Sequence, residues 1–598
     1  MLIKILGAIA AVIVIAIIVV GLAMWRGLIP IPGPLLALLV DAKGPEYSAR
    51  YYPSDTLAYG WVTLTPGGGQ FEDMRDIWER FDEYPKFREL VDELQADFLD
   101  ETGIDFETEV MPWIGPEIGA ALIDFDVAGE TPTVLLTIGV RDKGAAGKFL
   151  AKWMEYTGEG NFDTGSHRGF DIWVNDEGTE AYALTNDWLV FATDERTLTG
   201  ALDRIEDGGD SLADDANFMA AQAALPERRF SSFYLDYQQG LELLDDFVGG
   251  EFGTLMPGMI GPAAFTEQAP DWVAGSTGWV ERGITMEMVS PTVSTFGLET
   301  VELRDPANLL PVDTLGFMAG AFDPDVDHWR TALGEYDLDS LLPYPGVIDE
   351  INDGVDEMAG GNAPELNADA TLADALDLGF WLVKDLTGID LEADFFDHLS
   401  GQAILAVQDF DFDAVMDDPT ANAVDVVAML SYQEDGKEGL DDTMDEVAKL
   451  LQNHAGLEAS SVDVGANDDA TVFDLGLLGM MVGGPIGYRP GYVLHDQYLT
   501  LGTTESALAA IVERQNGEGD GLSSDAEYQR ATTHLATDGQ FLGYVDLRRI
   551  VAQLDADDLD LEPEEYRILR EGIGVAAFSS TTGEDYARGA AVLTLFPK

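Results

Sequence analysis

There is no cysteine among the 598 residues, which excludes disulfides, thiolate metal sites, iron–sulfur clusters and cysteine nucleophiles. Lysine is nearly as scarce, with ten residues beside 22 arginines. The six histidines, at 167, 328, 398, 454, 495 and 534, never fall into a His-x-Glu-x-x-His or His-x-His spacing, so a zinc enzyme has little support. No Gly-x-Ser-x-Gly elbow occurs either, and the common serine-hydrolase signal is missing. With 32 basic residues in all, the chain lacks the Lys/Arg surface from which nucleic-acid affinity comes, and no nucleic-acid partner is expected.

What the chain has is acid. It carries 67 Asp and 43 Glu, for a formal net charge of −78. That is far beyond the charge of about 2–8 suited to a small soluble domain. The acids run along the whole chain, so the surface repels anionic membranes as well. Such a shell repels itself at low salt and is tolerable once screened. Pervasive Asp with few Lys therefore reads as adaptation to high salt; the alternative is an ordinary acidic secreted protein. Apolar residues make up 46% and are spread evenly, which argues for folded cores over disorder. The length suggests three to five units.

The amino terminus differs from the rest. Ile5–Trp25 holds 21 residues without a charge, and as a helix it spans about 30 Å, the thickness of a bilayer core. A cleaved signal peptide has a shorter apolar region ending in small residues. This one ends in Met24-Trp25-Arg26, so residues 1–26 are expected to be an uncleaved transmembrane anchor. Pro30, Pro32 and Pro34 prevent a second regular span, leaving residues 27–44 as a Pro-rich stalk. The chain is thus expected to be single-pass in the cell membrane. Its partner there is the lipid bilayer, and its large carboxy-terminal part lies outside the cytoplasm.

The remainder contains a long-period repeat. Tyr52-Pro53-Ser54-Asp55-Thr56-Leu57 recurs as Leu310-Pro311-Val312-Asp313-Thr314-Leu315. Thr102-Gly103-Ile104-Asp105-Phe106-Glu107 recurs as Thr387-Gly388-Ile389-Asp390-Leu391-Glu392, each followed by a Gly/Ala-rich apolar run. Trp188–Glu195 resembles Tyr498–Glu505, and Tyr234-Leu235-Asp236 resembles Tyr544-Val545-Asp546. Residues 45–300 and 301–598 read as two homologous halves. In the first, strands are predicted at 56–64, 120–125, 133–140, 169–174, 180–185, 188–192, 231–236 and 272–281. One helical stretch is predicted over 71–98, bent or broken at Pro85, with further helices over 144–156 and 195–205. Runs of strands joined by short turns predict an α+β fold, mainly antiparallel sheet with helices packed on one face.

The Pro-x-Asp-Thr-Leu opening, the Thr-Gly-Ile-Asp-x-Glu turn and the late Tyr-x-Asp, in this order, resemble the bacterial family called domain of unknown function 3352. Its members are membrane-anchored extracytoplasmic proteins. The resemblance implies an address and an architecture; it supplies no activity and no catalytic residues.

Other chemistry has weaker footing. Thr65-Pro66-Gly67-Gly68-Gly69-Gln70 precedes a helix but lacks the Gly-Lys-Ser/Thr of a phosphate loop. Asp323, Asp325 and Asp327 start like a calcium loop, yet His328 and Gly334 stand where an EF-hand needs Gly and Glu. Asp409, Asp411 and Asp413 form a second acidic cluster. These six are the candidate metal ligands, for calcium at most; otherwise no cofactor is expected. Tryptophans 61, 78, 113, 153, 173 and 188 are read as core. Leu475–Tyr488 is an apolar, Met-containing insertion suited to packing or to a partner.

Together these features favour a non-enzymatic binding or envelope-structural protein, with an envelope protein as a possible partner. Two alternatives remain: a hydrolase with a carboxylate pair between the halves, and a carrier of a hydrophobic ligand, which requires a large apolar cavity within one half.

Overall fold

The computed structural model of the chain describes residues 44–598, except 65–69, 127–130, 158–161, 241–269, 293–303, 335–337, 339–346, 360–362, 368, 411–423, 466–467, 475–488, 537–538, 555–558, 560, 584 and 598. The anchor expected over 1–26 and nearly all of the stalk lie outside the described residues. No described helix is long and apolar enough to cross a membrane.

The fold is α+β, built on a large antiparallel sheet. Its first ten strands are β1 (Ala58–Thr63), β2 (Ile114–Asp126), β3 (Thr131–Val140), β4 (Phe162–His167), β5 (Phe170–Asn175), β6 (Ala181–Leu184), β7 (Trp188–Ala192), β8 (Ser231–Asp236), β9 (Trp272–Val280) and β10 (Gly283–Pro291). The next ten are β11 (Gly316–Ala321), β12 (Leu399–Phe410), β13 (Val424–Tyr432), β14 (Glu458–Asp463), β15 (Asp469–Asp474), β16 (Gly491–His495), β17 (Tyr498–Gly502), β18 (Phe541–Val545), β19 (Ile573–Thr582) and β20 (Tyr586–Leu595).

From one edge the order is β4-β5-β6-β7-β3-β2-β1-β8-β9-β10. It continues through β20-β19-β18-β11-β12-β13-β17-β16-β15-β14. Read inward from the two edges, the two runs are the same, strand for strand. The seam is the antiparallel pair β10–β20, from Gly283↔Thr594 to Pro291↔Tyr586.

Register repeats as well as order. Tyr59 pairs with Ala121 on one side and Tyr234 on the other; Phe317 pairs with Ala406 and Tyr544. The bulge between Leu122 and Asp124 recurs between Val407 and Asp409. A bulge shifts the facing of every residue beyond it, so its recurrence fixes which side chains of the two runs correspond.

The described helices used below are α1 (Gln70–Phe81), α2 (Pro85–Thr102), α3 (Lys143–Thr157), α4 (Glu195–Asp207), α5 (Ala216–Ala224), α6 (Val326–Leu333), α7 (Val347–Ala359), α8 (Leu372–Thr387), α9 (Lys437–Leu450), α10 (Glu505–Gln515), α11 (Ala526–Thr532) and α12 (Leu547–Gln553). The helical stretch expected over 71–98 is two helices. Pro85 takes the first position of α2, where its missing N–H costs nothing.

Helices cover both faces of the sheet, which corrects the expectation of one. Leu198, Ala201, Phe218 and Ala221 of α4 and α5 pack on the face carrying Tyr59, Ala121 and Leu135. Phe71, Met74 and Ile77 of α1 and Ala146 and Leu150 of α3 pack on the other, with Val62, Tyr182 and Leu189. The sequence carries the reason: β6 buries all four of its residues, Ala181–Leu184, as a strand covered on both sides must. The second half has the α10–α11 layer on the corresponding first face.

Candidate functional site

The motifs shared by the two halves are turn and cap chemistry. Thr102 donates its hydroxyl to Phe98 O (2.6 Å) and accepts from Ile104 N (3.1 Å), closing α2. Gly103 then takes φ 67°, a left-handed angle that favours glycine. Ile104 is buried, and the Asp105 carboxylate accepts from Thr108 N (2.8 Å). Thr387, Gly388, Ile389 and Asp390 do the same after α8, with Gly388 at φ 85° and Asp390 accepting from Ala393 N. The Pro-x-Asp-Thr turns bridge Pro53 to Ser211 and Pro311 to Gly521.

The candidate metal ligands are likewise engaged locally. Asp323 Oδ1 accepts from Asp325 N (2.9 Å), and its Oδ2 is 2.5 Å from His328 Nδ1. Asp325 caps α6 through Asp327 N (3.0 Å), while Asp327 meets Arg330 Nη1 (2.9 Å). Arg330 also grips Glu392 and Asp377, and its hydrogen bonds to these two and to Asp327 raise its pKa above the ordinary guanidinium range. Asp409 sits at the repeated bulge and accepts from Phe410 N (2.9 Å), as Asp124 does from Phe125 N (2.8 Å). Asp411 and Asp413 lie outside the described residues, as do residues 65–69 and the insertion 475–488. Among the described residues no group of three or more His, Asp or Glu side chains is arranged to hold a metal ion.

A polar groove of about 880 Å³ in the first half gathers Asp55, Asp124, Asp194, Arg196 and Arg204. Its members have structural tasks. Asp194 caps α4 through Thr197 N (2.8 Å), and Arg204 Nε donates to Tyr51 O (3.1 Å), its pKa lowered by burial. Between the halves, β10 and β20 are hydrogen bonded to each other, so at the seam the described residues form continuous sheet.

The feature the repeat does not share is apolar. In the second half a cavity of about 500 Å³ opens between α9 and the sheet, lined by Met444, Val447 and Leu451 above and by Ala428, Leu501 and Tyr492 below. In the first half α3 occupies the place of α9: buried Ala146 and Leu150 correspond to Leu440 and Met444. There the space is filled. Trp153 donates its Nε1–H to Tyr182 Oη (3.2 Å) and stacks on Phe149, with Phe162, Trp173 and Phe191 packed into the same cluster.

Helix phase and strand register give the counterparts. Trp153 corresponds to Val447, Phe162 to Ala459, Trp173 to Thr471, Phe191 to Leu501 and Leu136 to Ala428. These five exchanges lose volume while Tyr182 is kept as Tyr492; Leu440 and Phe473 are larger than their counterparts Ala146 and Asn175, and the open space lies where the aromatic rings are lost. Trp61, Trp113 and Trp188 are buried in the cores, as tryptophan content suggested, and Trp78 packs against one. No sequence motif marks the cavity; only a comparison of volumes at matched positions finds it.

Comparison with known proteins gives a family and no activity. No curated protein matches the chain. Among solved structures, crystal form I of TP0453 aligns with a TM-score of 0.22 at 6% identity, covering 43% of this chain and 81% of that one. Crystal form III gives 0.21 at 8%, covering 44% and 83%. Residues 8–321, more than half of the chain, match the family described as "Protein of unknown function (DUF3352)", and the chain belongs to that family.

Proposed function

We propose that this is a membrane-tethered, extracytoplasmic binding protein without catalytic activity, adapted to high salt, which holds an apolar ligand under α9. The reading rests on one observation: the space that Trp153, Phe162 and Trp173 fill in the first half is open where Val447, Ala459 and Thr471 replace them. An apolar recess left open keeps its lining hydrated, at roughly 25 cal/mol per Å² of apolar surface not buried. Retaining about 500 Å³ is consistent with a use for it, and the volume lies in the range of small-molecule sites, about 300–1,000 Å³. The tether rests on the uncharged run Ile5–Trp25.

The test uses the full chain held in amphipol in molar KCl and the neutral fluorophore N-phenyl-1-naphthylamine. Saturable binding to the native chain is expected, weakened at least tenfold by Val447→Trp, which restores the first-half residue. Binding unchanged by that substitution, with the variant still folded by circular dichroism, overturns the reading.

A further inference from the structure

The cavity under α9 does not end at β13. A second apolar groove, of about 370 Å³, lies beside it on the same face of the sheet and is lined by Met318, Leu405, Val407, Val545 and Ile550. Strand register joins the two. Leu405 pairs with Ala428 and Val407 with Val426, and both Ala428 and Val426 line the first cavity. Directly opposed side chains on adjacent strands touch, their Cβ atoms about 4.5–5.5 Å apart. The two cavities therefore adjoin on one face, over β18, β11, β12, β13, β17, β16 and β15. Six strand spacings of about 4.8 Å give the pair, taken as one trough, a span of roughly 29 Å.

Its floor is unusual for this chain. Met318 is 48% exposed, Leu405 44% and Leu501 38%. In a protein with 110 acidic residues, no described residue lining either cavity is charged. The acids stand at the rim. Asp441 and Asp445 of α9 act on the Tyr492 hydroxyl, whose pKa is raised first by burial and then by these two charges.

We propose that the ligand is a single extended alkyl chain of a lipid whose headgroup is not anionic, laid across both cavities. This rests on the apolar-ligand reading above and goes further, to ligand length and charge. The trough is about as long as a bilayer's hydrocarbon core, roughly 30 Å, which two acyl chains span end to end, so one extended chain fits within it whole. The uncharged floor takes the chain, and the acidic rim repels a phosphate or carboxylate head while accepting a cationic end.

The experiment displaces N-phenyl-1-naphthylamine from the full chain with alkylphosphocholines of 6, 8, 12 and 16 carbons, below their micellar concentrations. Affinity is expected to rise with every step, by up to about fourfold per methylene, the equivalent of about 0.8 kcal/mol per buried CH₂. Val407→Trp, or Leu405→Trp as a second block, should erase the gain beyond eight carbons, with melting temperature as the fold control. At 50 mM salt, dodecyl phosphate should bind at least tenfold more weakly than dodecylphosphocholine. A plateau by eight carbons, or blocks at 405 and 407 that leave the 16-carbon probe unchanged, overturns the extended chain while the reading of the α9 cavity stands. Equal binding of the two headgroups overturns the charge assignment. Loss of all probe binding to the native chain overturns both readings.

Discussion

Asp236 and Asp546 occupy the same position in the two halves, two residues beyond the paired tyrosines 234 and 544, but only Asp546 faces arginine. Arg548 approaches it with two nitrogens, at 2.9 and 2.6 Å, and Arg549 Nε lies 3.4 Å away. The side chain of Asp546 is fully buried, and despite its own burial Arg548 is held above its ordinary pKa by that carboxylate. In the first half the two arginines are replaced by Gln238 and Gln239. Asp236 accepts from Gln239 N (3.0 Å) and Nε2 (3.1 Å). Burial, with Asp215 and Asp271 nearby, pushes its pKa up.

The two positions should therefore respond oppositely to the same change. Asp546→Asn leaves two arginines facing a neutral amide and should cost about 3–5 kcal/mol, the usual penalty for breaking a buried ion pair. Asp236→Asn removes repulsion from Asp215 and Asp271 and should be neutral or stabilising, by no more than about 1 kcal/mol. Urea denaturation of the two variants checks the contrast, and a comparable loss in both would refute it.

Asp236 also fixes the sign of a pH effect. Its folded-state pKa lies above the ordinary carboxylate value, so between the two the folded protein binds more protons than the unfolded one. The contribution of Asp236 to stability thus improves as pH falls into that window and is fully unfavourable above it. The advantage of Asp236→Asn over the native chain should be present at pH 7 and shrink as pH approaches about 4. Paired melts of variant and native chain across that range isolate it from the other carboxylates.

Gly543 and Gly275 leave room for aromatic rings lying across them. A Cβ at Gly543 would stand 2.2 Å from Phe578, and one at Gly275 the same distance from Phe233. Phe578 has little freedom to retreat, because Phe541 stacks on it at 5.6 Å. Gly543→Ala should cost about 1–3 kcal/mol by overpacking. The cost should fall sharply in a Phe578→Ala background. A double-mutant cycle with no coupling would show that the ring is not the obstacle.

Salt should stabilise the whole chain. At least 78 carboxylates lack a basic partner one to one. Few can be buried unpaired, so their repulsion acts at the surface, over a Debye length of about 10 Å at 0.1 M and 3 Å at 1 M. The melting temperature of residues 44–598 should be higher in molar KCl than at 50 mM. A flat or falling dependence removes the case for adaptation to salt.

The expected anchor has its own test. A chain held by residues 1–26 stays with membranes through an alkaline wash. Recovery in the soluble fraction with a new amino terminus near residue 26 would identify a cleaved signal instead.

Much of the fold was legible because its determinants are local. Alternating or continuous apolar runs set strands such as Trp188–Ala192. Asp194 set the start of α4, and Gly103 and Gly388 set the ends of α2 and α8. β4 and β10 are absent from the strands expected from sequence. Phe162–His167 is a mostly exposed edge strand without apolar alternation, and β10 pairs locally with β9 as a hairpin and distantly with β20 at the seam. The acidic candidates looked like ligands because Asp at alternate positions suits both metal binding and capping. In the structure Asp323 and Asp409 accept from nearby backbone N–H groups and Asp325 caps α6, contacts that the spacing alone does not reveal.

By itself, then, the sequence determined the α+β class, the paired motifs and the surface charge. Each of these follows from residue type and near-neighbour spacing, which the chain carries wherever it goes. Tertiary structure decided the covering of both sheet faces, the opposite environments of Asp236 and Asp546, and the apolar trough. Those depend on which distant residues meet. Val447, Ala459 and Thr471 are unremarkable in the chain; they open a cavity only because strand register and helix phase set them where Trp153, Phe162 and Trp173 fill the other half.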